Sequence, residues 1–212
     1  MPEIRRIAAG WALRGMRPTF RLATRTLLDG EITGVEHLPR EGPAVIAANH
    51  FSHLDPPIVG MLANREVRFI AVDELFGNHL AFDVVTKFFG AIPTDRDGVP
   101  LGALKESIRV LQEGGLVGLF PEGRRVEYWG ENEPKPGAAW LAWMTGAPLV
   151  PVAIHGTEGT LAPVERGVRR TAVRAWVGPP LWWHDFADRV DPVGAMMEAW
   201  RSWIDTRLTP WG

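Results

Sequence analysis

The stretch Asn49-His50-Phe51-Ser52-His53-Leu54-Asp55 sets an imidazole and a carboxylate five residues apart, directly after the apolar run Pro43-Ala44-Val45-Ile46-Ala47-Ala48. A neutral imidazole takes up a proton near pH 7, and a carboxylate on its other nitrogen fixes the tautomer and stabilises the cation that forms. His50 is therefore a candidate general base and Asp55 its orienter. A short apolar run of this kind reads as a buried strand, and open α/β sheets carry their chemistry at the carboxyl ends of strands. The pair falls at such an end.

Three further segments lead an apolar piece into polar residues or a Pro. Gly90-Ala91-Ile92-Pro93-Thr94-Asp95-Arg96 ends on an arginine, and Leu119-Phe120-Pro121-Glu122-Gly123-Arg124-Arg125 runs into a Glu-Gly turn and two arginines. Val150-Pro151-Val152-Ala153-Ile154 is another apolar strand with an early Pro. In this order and spacing, over about residues 30 to 180, the four segments resemble the motifs of the glycerolipid (lysophospholipid) acyltransferase family.

That resemblance implies transfer of a fatty acyl group from a thioester, acyl-CoA or acyl-carrier protein, to the free hydroxyl of a lysophospholipid, foremost 1-acylglycerol-3-phosphate. Such a reaction needs a base for the hydroxyl proton, donors for the tetrahedral oxyanion and a place for the substrate's charge. His50 would take the proton while the acceptor oxygen attacks directly, so the substrate alcohol stands where a serine protease has its Ser. Arg96 and Arg125 match the family's phosphate-binding positions, with Arg124 an added charge beside them, and guanidinium groups suit phosphate oxygens. Asn49 is carried with them as a substrate-binding candidate. Glu122 matches the motif carboxylate, placed to accept from glycerol hydroxyls or to organise a neighbouring Arg. Gly123 permits a tight turn whose N–H could meet the oxyanion.

Two departures from the family pattern bear on the acceptor. The third motif commonly reads Glu-Gly-Thr-Arg-Ser, whereas this chain has Glu122-Gly123-Arg124-Arg125-Val126. Many relatives carry Lys in an Ala-Lys-x-Glu-Leu segment, where this chain has Ala71-Val72-Asp73-Glu74-Leu75. A different lysolipid acceptor is thus one alternative. A metal-dependent hydrolase is a second, although the His-x-His-x-Asp-His pattern of that class is not matched. A non-catalytic membrane-surface protein is a third, which would not need His50, Asp55, Glu122 and Arg125 together. No Gly-x-Ser-x-Gly elbow is present, so a serine hydrolase is not indicated.

The chain has 212 residues, enough for one sizeable core, and no Cys, which excludes disulfides, thiolate metal sites and a cysteinyl acyl-enzyme. No cofactor beyond the acyl donor, no metal and no nucleic-acid partner is expected. The net charge of −2 hides an asymmetry: residues 1 to 28 hold six arginines against Glu3, so the remainder is acidic overall. Ile4, Ile7, Ala8 and Trp11 follow helical spacing, as do Arg14, Arg17, Arg21 and Arg25, with Pro18 dividing the segment. The composition is that of an interfacial helix meeting an anionic membrane surface, with an ordinary surface helix packed on the core as the alternative. The expected organisation is a basic amphipathic segment over 1–28 and an acyltransferase domain over 29–212. No apolar run reaches the ~18 residues of a spanning helix, so the protein is expected as a peripheral, monotopic one on the cytoplasmic face.

The elements that must carry these residues alternate as in α/β folds. Strands are expected at 31–35, 44–48, 67–71, 91–94, 116–120, 149–154 and 171–177. Helices are expected at 56–62, 78–88, 101–113, 138–145 and 192–208. Gly114-Gly115 reads as a helix stop, and Asp191-Pro192 as an N-cap followed by an N1 proline. The ensemble is a single domain with a mixed, largely parallel sheet flanked by helices. Trp200 and Trp203 with Met196 and Ile204 form a stripe that reads as core.

Overall fold

A computed structural model describes residues 31–63, 65–72, 91–94, 101–158 and 172–211. The segment 1–28, the helix expected over 78–88 and Arg96 lie outside the described residues. Seven strands form one sheet in the order β1-β7-β6-β2-β5-β3-β4. They are β1 (Ile32–Thr33), β2 (Ala44–Ala48), β3 (Val67–Val72), β4 (Ile92–Thr94), β5 (Leu116–Leu119), β6 (Leu149–His155) and β7 (Arg174–Val177). From β6 across β2, β5 and β3 to β4 every pairing is parallel. The strand β7 runs antiparallel to β6 and parallel to β1. The expected mixed, largely parallel sheet is found, with all seven strands at the expected places.

The central strands are apolar because both faces are covered. Along β2, Val45 and Ala47 enter one core while Ala44, Ile46 and Ala48 enter the other, as the two-residue period of a strand dictates. The first core is closed by helix α2 (Leu101–Gln112), helix α3 (Gly137–Thr145) and helix α4 (Pro192–Leu208). The second is closed, among the described residues, by α1 (Asp55–Leu62) through Ile58, Val59 and Leu62.

Local signals set the helix ends. The Asp191 carboxylate accepts from the Gly194 N–H at 2.9 Å, capping α4 ahead of Pro192. At the end of α2, Gly114 adopts φ 78°, the left-handed turn that favours glycine. Trp200 is fully buried, with its indole N–H donating to the Ala47 carbonyl at 2.9 Å, which ties α4 to the strand leading into His50. A core role for the Trp200, Met196 and Ile204 stripe is therefore confirmed.

Candidate active site

The strands β2 and β5 are parallel neighbours, with Ala47 opposite Leu119. Their carboxyl ends therefore deliver His50 and the Phe120–Arg125 loop to the same edge of the sheet, where α/β folds place ligands. The His50 backbone carbonyl accepts from the Val126 N–H at 2.8 Å, which stitches the two loops together.

His50 Nδ1 lies 2.9 Å from Asp55 Oδ2. The same oxygen accepts from the N–H of Phe51 and of Ser52, each at 2.7 Å. A carboxylate oxygen collecting backbone donors is an acceptor, so the imidazole proton sits on Nδ1 and leaves a lone pair on Nε2. Asp55 is fully buried at the first turn of α1, whereas the His50 side chain keeps 14% of its surface exposed. The imidazole also stacks on Phe120, centroids 3.9 Å apart and 16° from parallel, and Phe120 in turn stacks on Phe69 at 5.8 Å. Gly118 makes room for this stack, since a Cβ there would lie 2.4 Å from the Phe69 ring. The ring is thus held on its face by Phe120 and on its edge by Asp55, an aromatic support that the sequence reading did not name.

Glu122 is 3% exposed, and neither of its carboxylate oxygens has a hydrogen-bond partner among the described residues. Burial, reinforced by the Asp55 charge, pushes this carboxyl up to about 8, so it holds its proton at neutral pH. The backbone N–H groups of His50 and of Glu122 act the other way, although neither closes a hydrogen bond. Arg125 is half-buried, and burial lowers its pKa from the ordinary guanidinium value while Asp55 opposes the change. His53 is also partly buried; burial, then the charges of Arg125 and His50, bring it down to about 4, with Asp55 opposing. It is therefore neutral at pH 7.

Other candidates have different surroundings. The Asn49 amide donates to the Ile154 carbonyl at 2.8 Å and its oxygen accepts the Ile154 N–H at 2.7 Å. Both ends of this buried side chain are committed to β6, so Asn49 fixes the strand end that precedes His50. Arg124 points outward, 59% exposed, pairing with Glu131 at 2.8 Å and Asn132 at 3.2 Å. Gly123 adopts φ 75°, as a tight turn requires, but its N–H donates to the Phe120 carbonyl at 2.9 Å and closes that turn. The N–H expected at the oxyanion is thus engaged within its own loop. The missing Cβ at Gly123 instead admits Lys135, whose Nζ would lie 3.0 Å from it. Lys135 thereby places an ammonium beside the Glu122 loop. No three His, Asp or Glu side chains among the described residues converge as metal ligands would.

Fold and site together define the class, a single-domain α/β enzyme with a braced His–Asp pair and a buried carboxyl at the strand ends of a largely parallel sheet. The particular family follows from comparison with known proteins. Residues 30–155 match the acyltransferase family, the chain belongs to it, and the protein is an O-acyltransferase. Over 168 residues it is 33% identical to the 1-acyl-sn-glycerol-3-phosphate acyltransferase of Bacillus subtilis, spanning 77% of this chain and 80% of that protein. A chloroplastic 1-acyl-sn-glycerol-3-phosphate acyltransferase of Arabidopsis thaliana is 30% identical over 166 residues, 76% of this chain but 44% of its own length. The crystal structure of the 1-acyl-sn-glycerophosphate acyltransferase of Thermotoga maritima has the same fold, with a TM-score of 0.73 at 24% identity over 98% of this chain and 84% of that one.

Proposed function

We propose that the protein moves a fatty acyl group from acyl-CoA or acyl-carrier protein to the free hydroxyl of a lysophospholipid, with 1-acylglycerol-3-phosphate as acceptor and phosphatidic acid as product. The observation that carries this reading is the His50–Asp55 contact of 2.9 Å beside an unpaired, buried Glu122 and a half-buried Arg125. The names of the relatives support the same acceptor. His50 Nε2 takes the proton of the acceptor hydroxyl as its oxygen adds to the thioester carbonyl. Collapse of the tetrahedral intermediate breaks the C–S bond, and the thiolate leaves with the proton from the imidazolium. Asp55 holds the ring throughout and stabilises its charged form. Arg125, with Arg96 beyond the described residues, receives the acceptor phosphate; Glu122 meets a glycerol hydroxyl.

Contact with the lipid surface is assigned to residues 1–28 on their basic, amphipathic sequence. Each arginine adds about 1 kcal/mol of attraction near an anionic leaflet. Removing the segment should abolish salt-sensitive sedimentation with anionic vesicles while transfer to a short-chain, soluble acceptor persists.

The central test is acyl transfer by purified protein with His50→Ala beside the wild type. The loss expected is about 10²- to 10⁴-fold, with thioester binding nearly unchanged. Activity within tenfold of the wild type would end this mechanism. A chelator should have no effect, and loss of activity restored by zinc would favour a metal-dependent hydrolase instead.

A further inference from the structure

A cavity opens at the same sheet edge but on the other side of the β2 end. The His50 ring stacks toward Phe120 and the core closed by α1, whereas the next side chain, Phe51, enters the core closed by α3 and α4. There it walls a cavity of about 290 Å³, together with Tyr128, Trp129, His155 and Trp211, with Glu127 and Glu158 also on its lining. The acyl-transfer steps above use none of these groups.

The walls are held in place from behind. The Trp129 indole N–H donates to Asp205 Oδ1 at 2.5 Å, and its ring meets Trp200 edge-on at 5.7 Å. Within the lining itself, Trp211 lies against His155, centroids 5.5 Å apart. It also carries the Arg174 guanidinium at 4.0 Å from its centroid, so one ring of the wall already supports a cation. Arg174 is not part of the lining, and among the described residues no Lys or Arg is. Among the described residues neither Glu127 nor Glu158 pairs with Lys or Arg; Glu158 approaches His155 Nε2 at 3.7 Å.

Aromatic faces and carboxylates together attract a positive charge, and the kind of charge is set by hydration. A sodium ion gives up its water only to a full set of oxygen ligands, and two carboxylates among four aromatic walls do not make one. An alkylated ammonium is weakly hydrated and gains from ring faces and carboxylates alike. Size points the same way, since the cavity is at or below the ~300–1,000 Å³ of sites for drug-sized ligands. It suits a headgroup rather than an acyl chain, whose methylenes would gain nothing from two carboxylates.

We propose that this cavity binds an organic ammonium group, belonging either to the aminoalcohol end of a phospholipid headgroup or to a free aminoalcohol. The headgroup source rests on the lysophospholipid acyltransferase reading; the ammonium chemistry does not. The Val126 N–H bonded to the His50 carbonyl at 2.8 Å joins the loop bearing Tyr128 and Trp129 to the backbone of the base. An occupant would therefore sit one residue from the reacting groups.

The test is calorimetric titration of the full-length protein with choline chloride, against sodium chloride at matched ionic strength. Saturable choline binding is expected, with none for sodium. The double variant Glu127→Gln/Glu158→Gln should bind about tenfold more weakly, and Trp211→Ala similarly. Both glutamines are near-isosteric at surface positions, and an unchanged unfolding temperature confirms that the fold is kept. Absence of saturable choline binding, or equal binding by the double variant, overturns the proposal. Lysophosphatidylcholine below its micelle concentration separates the two sources. Competition between it and choline supports a headgroup, whereas lipid binding that saturating choline leaves untouched supports the free aminoalcohol. No thioester is present, so a protein that binds choline but fails to transfer acyl groups would sink the acyl-transfer reading alone.

Discussion

Two buried carboxyl groups flank the same imidazole environment and are treated in opposite ways. Asp55 places one oxygen within reach of three donors, from His50, Phe51 and Ser52. Glu122, equally removed from water, has none on either oxygen among the described residues. A buried polar group without a partner costs about 1–3 kcal/mol, more if charged, so the fold carries Glu122 at a loss. Asp55 belongs to the architecture that holds the base; Glu122 is left unpaired at a place where an incoming hydroxyl would satisfy it.

The largest effects should come from Asp55, bonded through Oδ2 although its Oδ1 has no partner among the described residues. Asp55→Asn changes an acceptor into a group that presents N–H on one side, so the Nδ1 proton loses its partner and the wrong tautomer gains. Loss of the analogous carboxylate in a catalytic triad costs about 10⁴ in kcat, and a fall on that order is expected here. Asp55→Ala should in addition unfold at lower temperature, since hydrogen bonds to a charged group are each worth about 1.5–3 kcal/mol. A variant that kept both activity and melting temperature would break the comparison.

The unsatisfied member should behave in the reverse way. Glu122→Ala is expected to lower kcat/KM for the acceptor about 10- to 100-fold with no loss of stability, because the free protein forfeits no hydrogen bond. The titration sharpens this. The folded protein holds the Glu122 proton up to about pH 8, while the unfolded chain releases it near the ordinary carboxylate value of 4.5. Between those values the native state binds more protons, so stability falls as pH rises, by up to about 1.4 kcal/mol per unit. His53 works oppositely, from 6.5 unfolded to about 4 folded, and its contribution is lost as pH falls through that window. From about pH 4.5 to 6.5 the two slopes oppose each other; from about 6.5 to 8 Glu122 acts alone. Urea unfolding at pH 6.5 and 8 should show the decline in wild type and its disappearance in Glu122→Gln, and persistence of the decline would show that another group causes it.

The sheet was legible because its central strands are short apolar runs ending in Gly, Pro or charge, so that length and composition coincide. Helix α4 was legible at both ends, since Asp191-Pro192 caps it chemically rather than statistically. The His50–Asp55 pair was legible too, because a spacing of five across a strand end and the first turn of a helix leaves little freedom. What the sequence did not reveal depends on contacts distant along the chain. Asn49 looks like a polar site residue until its bonds to Ile154, 105 positions away, are seen. The stack of His50 on Phe120 and the ring-walled cavity beside Phe51 likewise join strands and loops that no local pattern relates.

The smallest expected effect separates the two adjacent arginines. Arg125 is half-buried between the His53 turn and the Glu122 loop, where a guanidinium cannot be replaced by water without cost. Its replacement by Ala should cost about 1.5–3 kcal/mol against a phosphorylated acceptor, the range for a charged hydrogen bond, and much less against a neutral monoacylglycerol. Arg124 already spends its charge on Glu131 in solvent. Exposed pairs of this kind are worth about 0–1 kcal/mol, so Arg124→Ala should change kcat/KM less than about fivefold and treat both acceptors alike. The two variants assayed against the phosphate and its neutral counterpart give four numbers with one expected outlier. If Arg124→Ala is that outlier, its pair with Glu131 opens when substrate arrives, and Arg124 rather than Arg125 receives the acceptor phosphate.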